Sequence, residues 1–367
     1  MVTAMAAIAR DKAGPLTIEE VQIEPPRRDE VLVKIVATGV CHTDMLVRDQ
    51  GYPVPLPLVL GHEGAGIVEQ VGNDVSTLAP GDHVVLTYGH CGHCGNCKSG
   101  RPGYCEQFYN QNFHGSRMDG SSAIHDCHGG QIGGAFFSQS SFGTYAMANE
   151  RNAVKIRKDV PLELMGPLGC GIQTGAGAVL NVLKPHPAAT LAIFGAGSVG
   201  LAAAMAAAAV GATTIIMVDL HDERLRLAKE LGATHGINGK REDAVARIKE
   251  ICEGRGVDYS LECTGNPRVL NQALESLTIP GMCGLIGASP VGTKAEIDMG
   301  TLLFGRTLRG IIEGDSVPQV FIPELIELWR AGRFPFDKLV KFYPLSEINQ
   351  AIVDSESGLV LKPIVRP

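Results

Sequence analysis

An apolar strand, a glycine turn and a helix follow one another between Leu191 and Val210, and this stretch constrains the fold more than any other. Leu191-Ala192-Ile193-Phe194 is closed by Gly195-Ala196-Gly197-Ser198-Val199-Gly200, and an alanine-rich segment follows. A second apolar run, Thr214 to Val218, ends at Asp219, about 20 positions after Gly200, as expected for a βαβ unit that binds a dinucleotide. In such a unit Gly195 permits the turn, Gly197 lets the backbone approach a pyrophosphate, and Gly200 lets the helix pack closely on the strand. The free N–H groups of the first helical turn point at the anion. Asp219 is placed to accept hydrogen bonds from an adenosine ribose and to repel a 2′-phosphate, which favours NAD over NADP. His221 and Arg224 follow it closely and temper that preference, with Arg224 a candidate contact to the cofactor.

The rest of the composition bounds the partners. A chain of 367 residues can form two domains, and 45% hydrophobic with 19% charged residues is ordinary for a soluble globular protein. The net charge is −7 and the pI about 5.9, with no dense run of lysine or arginine, so nucleic acid and anionic membrane are poor partners. Met1 to Lys12 lacks the cationic and apolar regions of a secretory signal, and Leu201 to Ala212 is too short to span a bilayer, which needs about 20 apolar residues. A cytoplasmic protein is expected. In that compartment ten cysteines point to metal or catalysis rather than to disulfides.

Up to about residue 90 the chain is a series of short β-type runs, such as Val31 to Val36, Gly66 to Val71 and His83 to Thr87, punctuated by Pro25-Pro26, Pro53 to Pro57 and Pro80-Gly81. Cys91, Cys94, Cys97 and Cys105 then fall in a C-x2-C-x2-C-x7-C pattern. Four thiolates this close can enclose one tetrahedral zinc with no position left for substrate, which makes a structural site. Disulfides and an iron–sulfur cluster are the alternatives weighed. His90 and His93 are expected to be exposed residues of this lobe, and residues 106 to 140 a long surface loop. Beyond the βαβ unit, strand candidates recur at Thr234 to Asn238, Val257 to Cys263, Met282 to Gly287 and Thr307 to Ile312, alternating with helical segments over 222–231, 241–253 and 267–277. Six strands with helical crossovers predict a doubly wound parallel sheet. From about 313 an amphipathic helix and a β-like tail follow, and the tail is expected to return to the first domain.

Three further candidate ligands lie far apart: Cys41 in Gly39-Val40-Cys41-His42-Thr43-Asp44, His62 in Gly61-His62-Glu63, and Cys170 in Gly169-Cys170-Gly171. Two thiolates and an imidazole leave one position of a zinc ion open for catalysis, although spacing alone cannot join residues this distant. The motifs together carry a resemblance. Gly61-His62-Glu63-x-x-Gly66-x5-Gly72-x-x-Val75, the four-cysteine lobe, Gly169-Cys170-Gly171 and the glycine fingerprint follow one another as in the zinc-dependent medium-chain alcohol dehydrogenases. Cys41-His42-Thr43-Asp44, the segment Gly166 to Gly175 and Phe136-Phe137 resemble the bacterial aryl (benzyl) alcohol dehydrogenases, with terpenoid alcohol dehydrogenases nearby.

The resemblance implies an α/β protein: a GroES-like β-rich catalytic domain over 1–171 and 313–367, with its zinc lobe at 91–105, around a doubly wound Rossmann NAD-binding domain over 172–312. It implies two Zn²⁺ per chain, the catalytic one held by Cys41, His62 and Cys170, with Glu63 behind it as an exchangeable ligand. Thr43 would accept the alcohol proton, Asp44 would orient His62, His42 would sit near the pyrophosphate, and Thr174 and Val199 would lie against the nicotinamide. The activity implied is reversible oxidation of a hydrophobic primary alcohol, aryl or allylic, by NAD⁺, in a homodimer or homotetramer with Val291 to Ile312 as a pairing edge. Leu46 stands where many relatives carry a relay histidine, so the relay is expected to end through ribose and water. Phe136 and Phe142 are expected near the substrate wall. An S-hydroxymethylglutathione (formaldehyde) dehydrogenase is the competing enzyme reading, opposed by Tyr52, Val54 and Ala123 at positions where those relatives carry charged anchors. A non-catalytic NAD- and zinc-binding relative is the other alternative.

Overall fold

The strand Glu30–Gly39 is the axis of the first unit of this chain, for which a computed structural model describes residues 1–367. It pairs antiparallel with Gly64–Val71, with Tyr145–Asn149 and, at its end, with Lys362–Arg366. Alternate side chains of a strand point to opposite faces. Val31, Val33 and Ile35 therefore enter one core with Val68, Val84 and Leu86, while Leu32 enters another with Ile8, Val21, Leu60 and Tyr88. This double burial explains why Val31 to Ala37 reads as an apolar run broken only by the exposed Lys34, although its sheet is not parallel. The sheet runs Ala153–Ile156, His83–Leu86, Gly64–Val71, Glu30–Gly39, Lys362–Arg366, Val340–Pro344. A second, five-stranded sheet is led by Val2–Ala9 paired with Thr17–Ile23.

In the other unit six parallel strands, counted along the chain, stand in the spatial order third, second, first, fourth, fifth, sixth. They are Thr190–Phe194, Thr214–Asp219, His235–Asn238, Val257–Glu262, Leu277–Leu285 and Thr307–Gly310. This is the doubly wound order of a dinucleotide-binding domain. Leu191 to Phe194 are all buried, as a strand covered on both faces requires. The helix Ser198–Ala209 is alanine-rich and almost wholly buried: alanine costs least in a helix, and its small side chain lets the backbone sit close to its neighbours. Gly200 is needed here, because a Cβ on it would lie 1.9 Å from the carbonyl oxygen of Gly195.

The first unit comprises Met1–Cys170, Val317–Leu325 and Asp337–Pro367, and the second Gly171–Ser316 and Ile326–Phe336. Residues 313–316 stay with the second unit because Glu313 and Ser316 hydrogen-bond to Gln173 at the start of its first helix. The expectation of a surface loop over 106–140 needs correction. Phe108–Phe113 is a helix, two short strands extend the five-stranded sheet, and Phe136, Phe137, Gln139 and Ser140 are buried. Few of its residues are apolar, but Ala123, Ile124, Ile132, Phe136 and Phe137 among them are buried.

Candidate active site

Cys41, His62, Glu63 and Cys170 converge in the first unit, with one ligand atom from each within 4.8 Å of the others. Each arrives by a different route. Cys41 caps the short helix His42–Arg48, in which Asp44 is the third residue and accepts the Cys41 N–H at 2.9 Å. The same carboxylate accepts the Gly61 N–H at 3.0 Å and pairs with His62 Nδ1 at 2.8 Å. Asp44 is fully buried and thus ties the cap of one segment to the ring of another. With Nδ1 engaged, His62 presents Nε2, a buried atom with no hydrogen-bond partner. A buried imidazole nitrogen left bare beside two thiols suits a metal, and the donor set of two sulfurs and one nitrogen is that of an open zinc site.

An aromatic pair packs against the ligand ring. Phe137 stacks on the His62 ring with centroids 4.5 Å apart, and Phe136 meets it edge-on at 5.3 Å. Gln139 bonds the His62 carbonyl at 3.0 Å and accepts the Gly64 N–H at 3.1 Å, fixing the segment on both sides of the ligand. Phe142, like Phe136, is fully buried in the core of this unit, and it packs on Gly61. Thr43 Oγ1 lies 3.9 Å from Cys41 Sγ, half-buried, while His42 beside it is exposed. Leu46 is buried on the same helix.

Charge is arranged around these ligands. Cys41 is held well below the usual thiol range, first by its hydrogen bond with Cys170, then, against burial, by the fields of His62 and Lys362. Burial opposes a charged His62, yet Asp44 and Cys41 outweigh it and raise the ring well above its ordinary value. Binding of a metal to thiol and imidazole ligands displaces the protons they carry. Lys362 was not singled out from the sequence. Its ammonium sits 2.8 and 2.9 Å from the two Glu63 oxygens and 3.3 Å from the Val40 carbonyl. The available signal was a lysine opening the short strand Lys362–Arg366, directly before apolar Pro363, Ile364 and Val365. The Glu63 carboxylate occupies the space over Gly39, where a Cβ would lie 2.0 Å from Oε2, so no side chain fits at that position.

Cys91, Cys94, Cys97 and Cys105 also bring their sulfurs within 4.8 Å of one another. Cys91 and Cys97 are 3.9 Å apart, far beyond an S–S bond of about 2.0 Å and close to the roughly 3.8 Å edge of a tetrahedron with 2.3 Å Zn–S bonds. Backbone N–H groups of Cys91, Cys94, Cys97 and Gln107 point at these sulfurs, as suits thiolates rather than thiols. Cys94 is drawn down to about 6 chiefly by the Cys97 N–H. His93 is exposed as expected, but His90 is half-buried, 3.9 Å from Cys97 Sγ.

In the second unit the glycine turn is braced from the next strand. Asp219 accepts the Ala196 N–H at 2.7 Å through one oxygen and those of Leu220 and His221 at 2.7 and 2.9 Å through the other. Gly195 has φ +103°, and a Cβ built on Gly197 would meet nothing within 4 Å, so the cradle beside the first helical turn is open for an anion. Arg224 Nε is buried without a partner. Thr174 belongs to the helix Gly171–Gly177, whose Gly175 abuts Val199 so closely that a Cβ would lie 2.0 Å from its carbonyl oxygen.

A doubly wound nucleotide unit, a closed four-thiolate lobe and an open Cys₂His set together define a zinc-dependent dehydrogenase. Residues 27–158 match the alcohol dehydrogenase GroES-like domain and 198–330 the zinc-binding dehydrogenase domain. The chain belongs to the zinc-dependent alcohol dehydrogenase family, and its cofactors are zinc and NAD. Among its relatives, a geraniol dehydrogenase of Castellaniella defragrans is 48% identical over 99% of this chain and 98% of its own. The crystal structure of benzyl alcohol dehydrogenase from Acinetobacter calcoaceticus has a TM-score of 0.96 at 52% identity, covering 100% of this chain and 99% of that one. An alcohol dehydrogenase zinc-binding domain protein from Burkholderia ambifaria has a TM-score of 0.97 at 59% identity, with 100% and 99% covered.

Proposed function

We propose that this enzyme oxidises hydrophobic primary alcohols bearing an aromatic or allylic carbon next to the hydroxyl, reversibly, to the aldehydes. The observation that carries the reading is the aromatic collar of Phe136 and Phe137 on the His62 ring, with Leu46 apolar on the helix that starts at the Cys41 ligand. Similarity to a geraniol dehydrogenase and a benzyl alcohol dehydrogenase supports the same class. Cys41, His62 and Cys170 would hold the catalytic zinc, which as a Lewis acid lowers the pKa of an alcohol oxygen. Asp44 keeps the proton of the zinc-loaded site on Nδ1 of His62, so that Nε2 remains a donor to metal. Thr43 would accept the alcohol proton at Oγ1, and because Leu46 cannot relay it, the proton would leave through the cofactor ribose and water. Glu63 stays behind the site on Lys362.

Gly195, Gly197 and Gly200, with His42, would receive the pyrophosphate; Asp219 and Arg224 would take the adenosine ribose side, and Thr174 and Val199 would lie against the nicotinamide. The four-cysteine lobe holds a second zinc that has no part in turnover. Val54 and Ala123 are core residues, which gives a charged glutathione adduct no anchor there. A homodimer or homotetramer is supported by exposed Val291, Met299, Leu303 and Phe304 near the edge strand Thr307–Gly310. A cytoplasmic location fits a chain in which no helix is long and apolar enough to cross a membrane.

The test is kcat/KM for benzyl alcohol, cinnamyl alcohol and geraniol against ethanol and S-hydroxymethylglutathione. A ring burying about 100 Å² more than ethanol contributes roughly 2.5 kcal/mol, about seventy-fold, if the burial persists in the transition state. Equal values for ethanol or the glutathione adduct end the assignment.

A further inference from the structure

Phe137 is placed on the His62 ring by a backbone that is unfavourable on its own. Phe137, Ser138 and Ser140 all lie in the left-handed region, with φ of 50°, 52° and 49°. At residues other than glycine this costs free energy and persists only where the surroundings impose it, most often around a functional centre. Three fully buried side chains impose it here. Asn152 Nδ2 donates to the carbonyls of Thr87 at 3.0 Å and Ser138 at 3.1 Å, with that of Phe137 also in reach at 3.4 Å. Asn152 Oδ1 accepts the Asn149 N–H at 2.8 Å. Gln139 Nε2 joins the same Thr87 carbonyl, at 3.2 Å, to the carbonyl of His62. Ser140 Oγ accepts the Phe136 N–H at 3.0 Å and donates to the Val59 carbonyl at 2.6 Å.

What this clamp delivers is one ring face. Phe137 lies over the imidazole with 28° between the planes, and Phe136 closes the edge at 84°. Asp44 anchors His62 Nδ1, but a hydrogen bond keeps much of its strength over about 30° of tilt, and the outer torsion of a histidine has a broad minimum. The anchor alone therefore leaves the ring room to swing. A flat neighbour on its face removes that freedom. The plane matters because the bare atom, Nε2, must aim at the space it shares with the sulfurs of Cys41 and Cys170.

We propose that Phe137, clamped by Asn152, is a positioning residue for the catalytic zinc: its stack fixes the plane of the His62 imidazole and so sets how firmly the metal is held. This rests on His62 being a ligand. Supports around a ligating histidine are worth about ten- to a hundred-fold in metal affinity. The strain at Phe137 is thus spent on metal retention, a role separate from any choice among alcohols.

The experiment follows zinc leaving the fully loaded full chain into an excess of a metallochromic dye, which reads the two sites as two phases. The phase missing from His62→Ala belongs to the catalytic site. Phe137→Leu, which keeps apolar bulk but removes the flat face, should speed that phase about tenfold and leave the four-cysteine phase within about twofold. Asn152→Ala should act in the same direction, and the double variant should be no faster than the faster single one, because the clamp works through Phe137. Cobalt in place of the catalytic zinc should show a shifted visible absorption in both variants. An unaltered four-cysteine phase reports that a variant is folded, and Asn152→Ser replaces Asn152→Ala if that phase is lost. If His62→Ala keeps both phases, His62 is not a ligand and both readings fall. If His62→Ala loses one phase while Phe137→Leu releases zinc at the wild-type rate, the ligand stands and the positioning role is overturned. Equal acceleration of both sites, or losses that multiply in the double variant, would overturn it too.

Discussion

Lys362 and Glu63 form an ion pair that is almost completely buried, with the ammonium within 2.9 Å of both carboxylate oxygens although 299 positions separate the residues. The lysine lies on the C-terminal strand and the glutamate beside a metal ligand, so the end of the chain is fastened to the centre of the site. Burial works against a charged Lys362, but Glu63 and Cys41 outweigh it and raise its pKa above the ordinary value. Removing one member of such a pair leaves an uncompensated buried charge and costs about 3–5 kcal/mol, whereas removing both costs far less. Lys362→Met should therefore lower the melting temperature markedly, and Lys362→Met with Glu63→Gln should recover most of the loss. Additive losses in thermal unfolding would show that the two side chains do not act as a pair.

The two cysteine sites should separate in their consequences. Cys170→Ala should reduce zinc from two to one per chain by metal analysis and abolish turnover while far-UV circular dichroism is kept. Cys97→Ala should also lose one zinc, but with the main effect on stability, because a closed thiolate site contributes folding free energy outright. One zinc in the folded, active wild type would contradict both expectations.

Asp219→Gly should shift preference toward NADP⁺. Charge-assisted hydrogen bonds to a ribose are worth roughly 1.5–3 kcal/mol, or about ten- to hundred-fold. The brace from Asp219 to Ala196 N adds a second effect, since its loss loosens the glycine turn and weakens both cofactors. The ratio of kcat/KM for NAD⁺ and NADP⁺ isolates the first effect, and a native preference for NADP⁺ would assign the decision to Arg224 or His221.

Acid should weaken the first unit through Glu24. Its carboxyl is held below the ordinary value by the Arg117 hydrogen bond, with His125 adding to it and burial opposing. A carboxyl whose folded pKa is depressed contributes stability above its unfolded value, near 4.5, and loses it as pH falls through the lower folded value. Melting temperatures should fall from about pH 4.5 downward, and Arg117→Met should reduce that slope. An unchanged slope would mean that other carboxyls carry the acid response.

These predictions rest on features that differed in how readily the sequence revealed them. The glycine turn with Asp219 and the four-cysteine lobe are local patterns whose chemistry dictates their spacing, and both were readable directly. Cys41, His62 and Cys170 are joined only by the fold, so they came through resemblance. Phe137 on His62 and Lys362 on Glu63 were invisible for the same reason, with no periodic pattern to betray them. The segment 106–140 misled because its polarity is that of a loop while Ile124, Ile132, Phe136 and Phe137 are buried. Its inward-facing Gln139 and Ser140 are satisfied by backbone partners that composition cannot supply.

Asp44 spends its two oxygens on a helix cap, a neighbouring backbone N–H and the His62 ring. This shared use limits how the pocket can be redesigned. Under the proposed function, Leu46, a buried apolar side chain two positions along the same helix, is where a change of size should alter which alcohols are admitted while Asp44 is kept. Any exchange at Asp44 itself would trade away local folding and metal retention together, and no second substitution at a single site could restore both. Libraries aimed at new substrates are therefore best built outward from Leu46 and the Phe136-Phe137 pair, with Asp44 held constant.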